Sequence, residues 1–218
     1  MTVRALAIIT IGLGVVPSSA LADRGALTLD AGGAGIATLL HAPAPVGYTV
    51  SGQATPLTAP AALVGGRYAL TNDLELSLHG FLQPSLGVFH NGVTLTSDAT
   101  PFPGTLVHRY TSFGGAVGVR WLRGSEWRFT VGAELGWTRR VYSGLQQIND
   151  RVTPAADYRL GLADFTVDSL SIATLAGVEW VFADTMSVSV LPRLELLPGR
   201  EMAVSVLLPL QISFSFYL

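Results

Sequence analysis

Four glutamates, Glu75, Glu134, Glu179 and Glu195, and five arginines, Arg67, Arg120, Arg128, Arg140 and Arg193, fall on the polar side of a two-residue alternation. On one enclosed face of a sheet such groups must neutralise one another, because an unpaired buried charge is costly. Only Glu126 and Glu201 lie elsewhere, at a turn and in a connection. Asp favours turns and connections, at Asp73, Asp98, Asp150, Asp157, Asp164 and Asp184. Nucleophilic catalysis would need a hydroxyl within hydrogen-bond reach of a base. On an extended strand His-x-Ser meets that need, and none of His41, His79, His90 or His108 has Ser two residues later. His108 and Ser112 share a face but stand about 13 Å apart along a strand. The histidines are dispersed and cysteine is absent, so no metal-ligand spacing exists. Gly32-Gly33 and Gly114-Gly115 read as sites of close strand packing rather than as a phosphate loop. Catalytic residues, metal and cofactor are all expected to be absent.

The elements that must carry these charges are strands. Alternation divides the chain into eight stretches, near 26–39, 60–70, 74–89, 106–122, 126–141, 165–182, 186–197 and 202–218. Tight connections at 71–73, 123–125 and 183–185 alternate with long ones at 40–59, 90–105 and 142–164, and with Pro198-Gly199-Arg200-Glu201. That is the rhythm of an even-stranded barrel with short periplasmic turns and larger outer loops. The fifth stretch sets Trp127, Phe129, Val131, Ala133, Leu135 and Trp137 on one side, and Arg128, Thr130, Gly132, Glu134, Gly136 and Thr138 on the other. The fourth and eighth repeat the pattern, the eighth with Val204, Val206, Leu208, Leu210, Ile212, Phe214 and Phe216 outward. A water-soluble barrel would put its apolar side inside. With the charges inward, the reading is all-β: a closed, antiparallel, up-and-down transmembrane β-barrel of eight strands.

Composition agrees. The chain of 218 residues is 49% hydrophobic and only 13% charged, where a soluble domain carries about 25% charged residues. Residues 1–22 read as a secretory signal peptide: Arg4, an apolar run from Ala5 to Val16, and an Ala20-Leu21-Ala22 cleavage site, leaving 23–218 as the barrel. The net charge of −2 offers nucleic acid no basic field. A helical membrane protein needs about 20 consecutive apolar residues per span. The best candidate, Met202 to Leu218, is shorter, contains Pro209 and alternates with period 2.

Trp127 and Trp137 lie ten residues apart on one face, about 25 Å along the membrane normal for a strand tilted by roughly 40°. Trp121, Trp127, Trp180 and Phe182 then form an inner aromatic girdle, with Trp137, Tyr142 and Phe113 near the outer one. A hairpin loop at 123–125 would set Arg120 opposite Arg128, Gly114 opposite Glu134, Trp121 opposite Trp127 and Arg109 opposite Arg139. Glu75 and Glu179 would be counter-ions for the facing arginines. Arg109 and Arg139 would sit at the outer rim, where headgroup phosphates of lipid or lipopolysaccharide could bind them.

These residues resemble the small eight-stranded outer-membrane barrels of Gram-negative bacteria, the group of the outer membrane protein A transmembrane domain. The resemblance implies an integral outer-membrane protein of the cell envelope, monomeric, that meets lipids, lipopolysaccharide and the barrel-assembly machinery. That machinery reads a terminal aromatic; here Phe214 and Phe216 keep the alternation while the chain ends Tyr217-Leu218. The expected function is non-enzymatic, with an ion-paired interior and outer loops for surface interaction or envelope structure. A narrow, porin-like pore for ions or small solutes is the alternative, and a lipid A-modifying barrel enzyme the third.

Overall fold

The computed structural model describes residues 24–149, 159–183, 185–197 and 203–217. The expected leader and the 198–201 connection lie outside them. Eleven strand segments follow one another: β1 (Ala26–Leu40), β2 (Thr49–Ser51), β3 (Thr55–Thr71), β4 (Leu74–Ser97), β5 (Thr100–Arg123), β6 (Trp127–Ile148), β7 (Arg159–Gly161), β8 (Phe165–Ala183), β9 (Met186–Val190), β10 (Arg193–Leu197) and β11 (Ala203–Tyr217).

Antiparallel pairing runs β1–β3–β4–β5–β6–β8, on through β9 and β10 to β11, and back to β1, where Leu27 faces Phe216 and Thr38 faces Ser205. β9 and β10 are one crossing strand. Val190 faces Val178 and Leu210, Arg193 faces Leu175 and Leu207, and the register does not change between them. Pro192, which has no N–H, interrupts the ladder, yet its carbonyl still accepts the Ala176 N–H at 3.1 Å. The ring therefore has eight strands and, among the described residues, closes on itself, as hydrocarbon demands of a sheet. β2 pairs with β4, and β7 with β6, outside the ring.

The expected long connection at 90–105 is almost wholly strand, and those at 40–59 and 142–164 are partly so. β4 and β5 continue to a two-residue turn at Asp98 and Ala99, whose φ angles are 47° and 63°, as in a type I′ hairpin. Pro101 and Pro103, residues that ordinarily break a strand, lie within β5. There they face Thr96 and Thr94 of β4, and among the described residues the β5–β6 ladder runs to Thr105 opposite Ile148. Likewise Thr55 already faces Leu40, and β6 runs on to Ile148.

Inward and outward residues alternate as expected. Val131, Leu135, Leu208 and Leu210 are 47%, 59%, 59% and 57% exposed, whereas Glu134 and Gln211 are buried. Arg in place of Val131 is expected to cost about 2–4 kcal/mol of folding free energy in lipid, measured by denaturant titration in bilayers, with Val131→Leu as the near-neutral control. Equal stability of the two variants would refute the face assignment.

The β5–β6 register differs from expectation. Arg120 faces Gly132, Trp121 faces Val131, Gly114 faces Thr138, and Arg109 faces Ser143. Trp127 and Arg128 pair instead with Trp180 and Glu179 on β8. The hairpin closes with Arg123 opposite Phe129, so 124–128 stay unpaired between the two strands: Gly124 has φ 124°, and Arg128 Nε donates to the Ser125 carbonyl at 3.3 Å. The displacement is an even number of residues, so every side chain keeps its face.

Candidate functional site: the lumen and its outer mouth

The inward positions form layers. In the lowest, Arg67 of β3 donates from Nε to Asp30 of β1 at 3.0 Å, from Nη1 to Glu75 of β4 at 3.1 Å, and from Nη2 to Glu179 of β8 at 2.9 Å. β3 and β8 stand on opposite sides of the ring, so one guanidinium ties three carboxylates and both walls together. Its planar fork of donors suits that role, which an ammonium could not fill. Ser187 Oγ also donates to Glu179, at 2.5 Å.

Above it Glu134 of β6 is the centre. Arg120 Nη2 and Arg193 Nε approach its carboxylate at 3.3 Å each, His79 Nδ1 at 3.4 Å and Ser77 Oγ at 3.4 Å. Arg193 Nη1 contacts His79 Nε2, which must then accept, leaving Nδ1–H to face Glu134. Glu195 stands 3.6 Å from Arg193. Arg120 Nε and Nη1 have no hydrogen-bond partner among the described residues, and Arg120 borders a cavity of about 20 Å³ walled by His79, Leu191, Pro209 and Gln211. That is room for about one water. Arg140, higher on β6, donates to Ser169 Oγ at 3.0 Å.

Every residue of the expected lumen charge network is therefore buried, but the pairings differ. Arg120 and Arg128 do not face each other. Arg120 turns to Glu134 rather than Glu75, and Glu179 turns to Arg67. Asp30, counted with neither the turns nor the lumen, was missed. Its signal was there: it follows Thr28 by two residues on an alternating strand.

The lumen is also less polar than expected. Ala34, Ile36, Ala61, Leu63, Phe81 and Leu207 pack as an apolar patch at mid-height. Toward the outer end, Leu40, Val88, Tyr110, Tyr142 and Leu145 form one cluster, and Val93, Leu95 and Leu106 another, on which Ala42, Tyr48 and Val50 of the β1–β3 connection pack. Between these two clusters His90 Nε2 and His108 Nε2 lie 3.2 Å apart, and Thr55 Oγ1 is 2.8 Å from His90 Nδ1. A hydroxyl beside an imidazole beside a second imidazole has the outline of a nucleophile, base and orienting group. Both rings are fully buried, with 0% and 1% exposure, and the sequence offered no spacing that would reveal the trio.

Against solved structures, the chain aligns with the attachment invasion locus protein Ail of Yersinia pestis, in complex with the heparin analogue sucrose octasulfate, at a TM-score of 0.52 and 10% identity. The alignment covers 88% of this chain and 99% of Ail. Neisserial surface protein A aligns at a TM-score of 0.50 and 15% identity, over 88% of this chain and 99% of that one. This chain has the fold of the small eight-stranded outer-membrane β-barrels. No protein-family model and no curated protein matches its sequence.

An outer-membrane-type barrel presents an apolar belt rimmed by aromatics, and the outward face here does so. Trp121, Trp127 and Trp180 are exposed at the end with the tight turns, Trp127 stacked on Trp180 at 5.8 Å between centroids. Trp137 marks the other end, with Phe113 edge-on at 6.1 Å. Tyr142 does not belong to that girdle: it is fully buried among Tyr110, His108 and Phe165, because it shares the inward parity of Arg140. At the outer rim Arg139 is held by Asp168 through two hydrogen bonds of 2.9 and 2.8 Å and lies 5.3 Å over the Trp137 ring. Its charge is matched within the barrel wall. Arg109 is exposed on the outward face of β5.

Proposed function

We propose that this chain is an integral protein of the bacterial outer membrane, exported by a leader cleaved after Ala22, whose barrel is a closed and non-enzymatic wall element. Its outer loops and rim would make the contacts with other surfaces, and Arg109 would engage headgroup phosphate of lipid or lipopolysaccharide. The observation that carries the reading is the filled lumen. The Arg67 layer, the Glu134 layer and the aliphatic and aromatic clusters at the outer end each draw side chains from several strands, and an eight-stranded ring leaves little more than side-chain room. The fold, the apolar belt and the low charge content support the location. Against catalysis stands the burial of Thr55's histidine partner, out of a substrate's reach.

The test is to purify the mature protein from the outer-membrane fraction and record planar-bilayer currents. A polypeptide starting at Asp23 that gives no steady conductance is the expected result. A steady, ion-selective open level would favour the pore instead, since charged groups lining a lumen set which ions pass.

A further inference from the structure

The wall is closed around the belt but parts above it. β3 faces β4 from Thr71 to Ala62, which lies opposite Leu82, and among the described residues no ladder joins the two strands beyond that pair. On their other edges both continue, β3 with β1 as far as Thr55 and β4 with β5 as far as Ser97. The gap is bounded above, because β2 takes that edge of β4 at Thr94, Leu95 and Thr96. Its lower lip stands at the outer girdle, where Leu82 faces Phe113 and Phe113 packs edge-on against Trp137. Counting on from Ala62 and Leu82, Pro60 comes opposite Pro84, so neither strand has an N–H to offer where the ladder ends. A side-chain hydrogen bond between Thr55 Oγ1 and His90 Nδ1, at 2.8 Å, spans the upper part. With the extra residue of the Pro84-Ser85 bulge, this bond fixes the register across the gap and sets Thr58 opposite Gly87.

We propose that this window admits the alkyl tail of a single-chain anionic amphiphile whose head is held outside by Arg109. This rests on the outer-membrane reading above, in which Arg109 meets phosphate, and adds a seat for the tail. The lips of the window are apolar although they stand beyond the belt: Pro56, Pro60 and Pro84 are exposed, and Phe89 is 60% exposed. An apolar collar outside hydrocarbon marks a contact site. Behind it Leu57, Val88, Tyr110 and Tyr142 pack with Leu40 and Leu145, an interior of the same polarity as an alkyl chain. Burial, with the nearby His108 and His41, holds His90 down at about 4, so at neutral pH the bond that crosses the window brings no charge to it.

The head has its own partner beside the opening. Arg109 faces Gly87 on β4 and Ser143 on β6, both uncharged. A side chain at Gly87 would meet only the edge of the Phe89 ring, at 3.9 Å. The guanidinium therefore has a clear path over that glycine to the lip, and its fork of donors suits a phosphate. Entry of a chain displaces side chains of the cluster but breaks no ladder bond. Below the cluster, Arg140 donates to Ser169 and the Glu134 layer fills the lumen, so the tail is bound there and not passed through.

The test is photolabelling of the full barrel, refolded into phosphatidylcholine bilayers, with a dodecyl phosphate that carries a diazirine at the end of its chain. Mass mapping should find label on Val88, Tyr110 or Tyr142, inward residues of the cluster, as well as on the outward belt. Because the chain has no cysteine, Thr58→Cys/Gly87→Cys can be bridged by a short bis-thiosulfonate. Inward labelling should fall several-fold while the bridge is in place and return on reduction, and Arg109→Gln should also weaken it several-fold. Labelling confined to outward residues, or inward labelling that the bridge leaves unchanged, overturns the window. If the cysteine pair does not refold, competition in the parent decides. Unlabelled dodecyl phosphate should remove the inward label and dodecyltrimethylammonium should not; equal competition by both refutes the proposal. Rim labelling that Arg109→Gln abolishes, over an interior that stays unlabelled in the parent, would leave the phosphate contact standing and the window refuted.

Discussion

Replacing Arg67 by Ala is expected to lower the unfolding free energy of the barrel by about 3–5 kcal/mol, the usual cost of leaving buried ion-pair partners uncompensated. The reason is geometric. Asp30, Glu75 and Glu179 converge from three strands on one guanidinium with side-chain exposures of 4%, 2% and 1%, so its loss leaves three carboxylates facing one another. Because Glu179 reaches from the far wall, Arg67→Ala/Glu179→Gln should recover part of the loss, and the double-mutant cycle isolates the coupling across the lumen. Urea titration of the refolded protein in bilayers measures it. An Arg67→Ala variant as stable as the parent would mean that solvent reaches this layer, and the case for a filled lumen would fall.

Glu134→Ala is the second large effect. Arg120 and Arg193 both depend on this carboxylate, and its side chain is entirely buried. A loss of about 3 kcal/mol is expected, at the lower end of the range because Glu195 remains beside Arg193. Glu195→Ala, at 3.6 Å and with Glu134 still in place, should cost clearly less. The ordering of the two variants is the check. Reversal would show that Arg193 is neutralised from its own strand and that Glu134 is not the centre of its layer.

Which face each side chain takes was legible, because alternation is imposed by the strand itself. Trp127, Val131 and Leu210 outward, and Glu134, Arg193 and Gln211 inward, follow from parity alone. Which groups meet was not legible. Arg67 and Glu179 are 112 residues apart and come together only because the sheet closes. The glutamate opposite Arg120 in register, Glu75, is taken by Arg67. The hairpin register was misjudged because Gly124 and the Arg128-to-Ser125 hydrogen bond lengthen a connection that looks like a three-residue turn. Prolines concealed the outer β4–β5 hairpin: Pro101 and Pro103 ordinarily argue against a strand, yet they face Thr96 and Thr94 of β4 within it. Tyr142 was misplaced by weighing residue type and height along the strand over parity.

Beside the register shifts next to the tight turns, at Leu70 of β3 and Phe182 of β8, three extra residues in the outer parts of β4 and β6 give the chain two rules for tolerating changes of length. β4 carries bulges at Pro84-Ser85 and Asn91-Gly92, and β6 one at Gly144-Leu145. Gly92 and Gly144 supply the left-handed backbone there, at φ 66° and 62°, and each bulge exchanges which side chains point inward. All lie on the outer side of Leu82 and Trp137, where neither face of the sheet meets hydrocarbon. Here a lineage could gain or lose single residues and repair the pattern locally. Between Leu76 and Leu82 the same event would turn Ser77 and His79 toward lipid, so that stretch should vary by substitution, or by pairs of residues, and never by one.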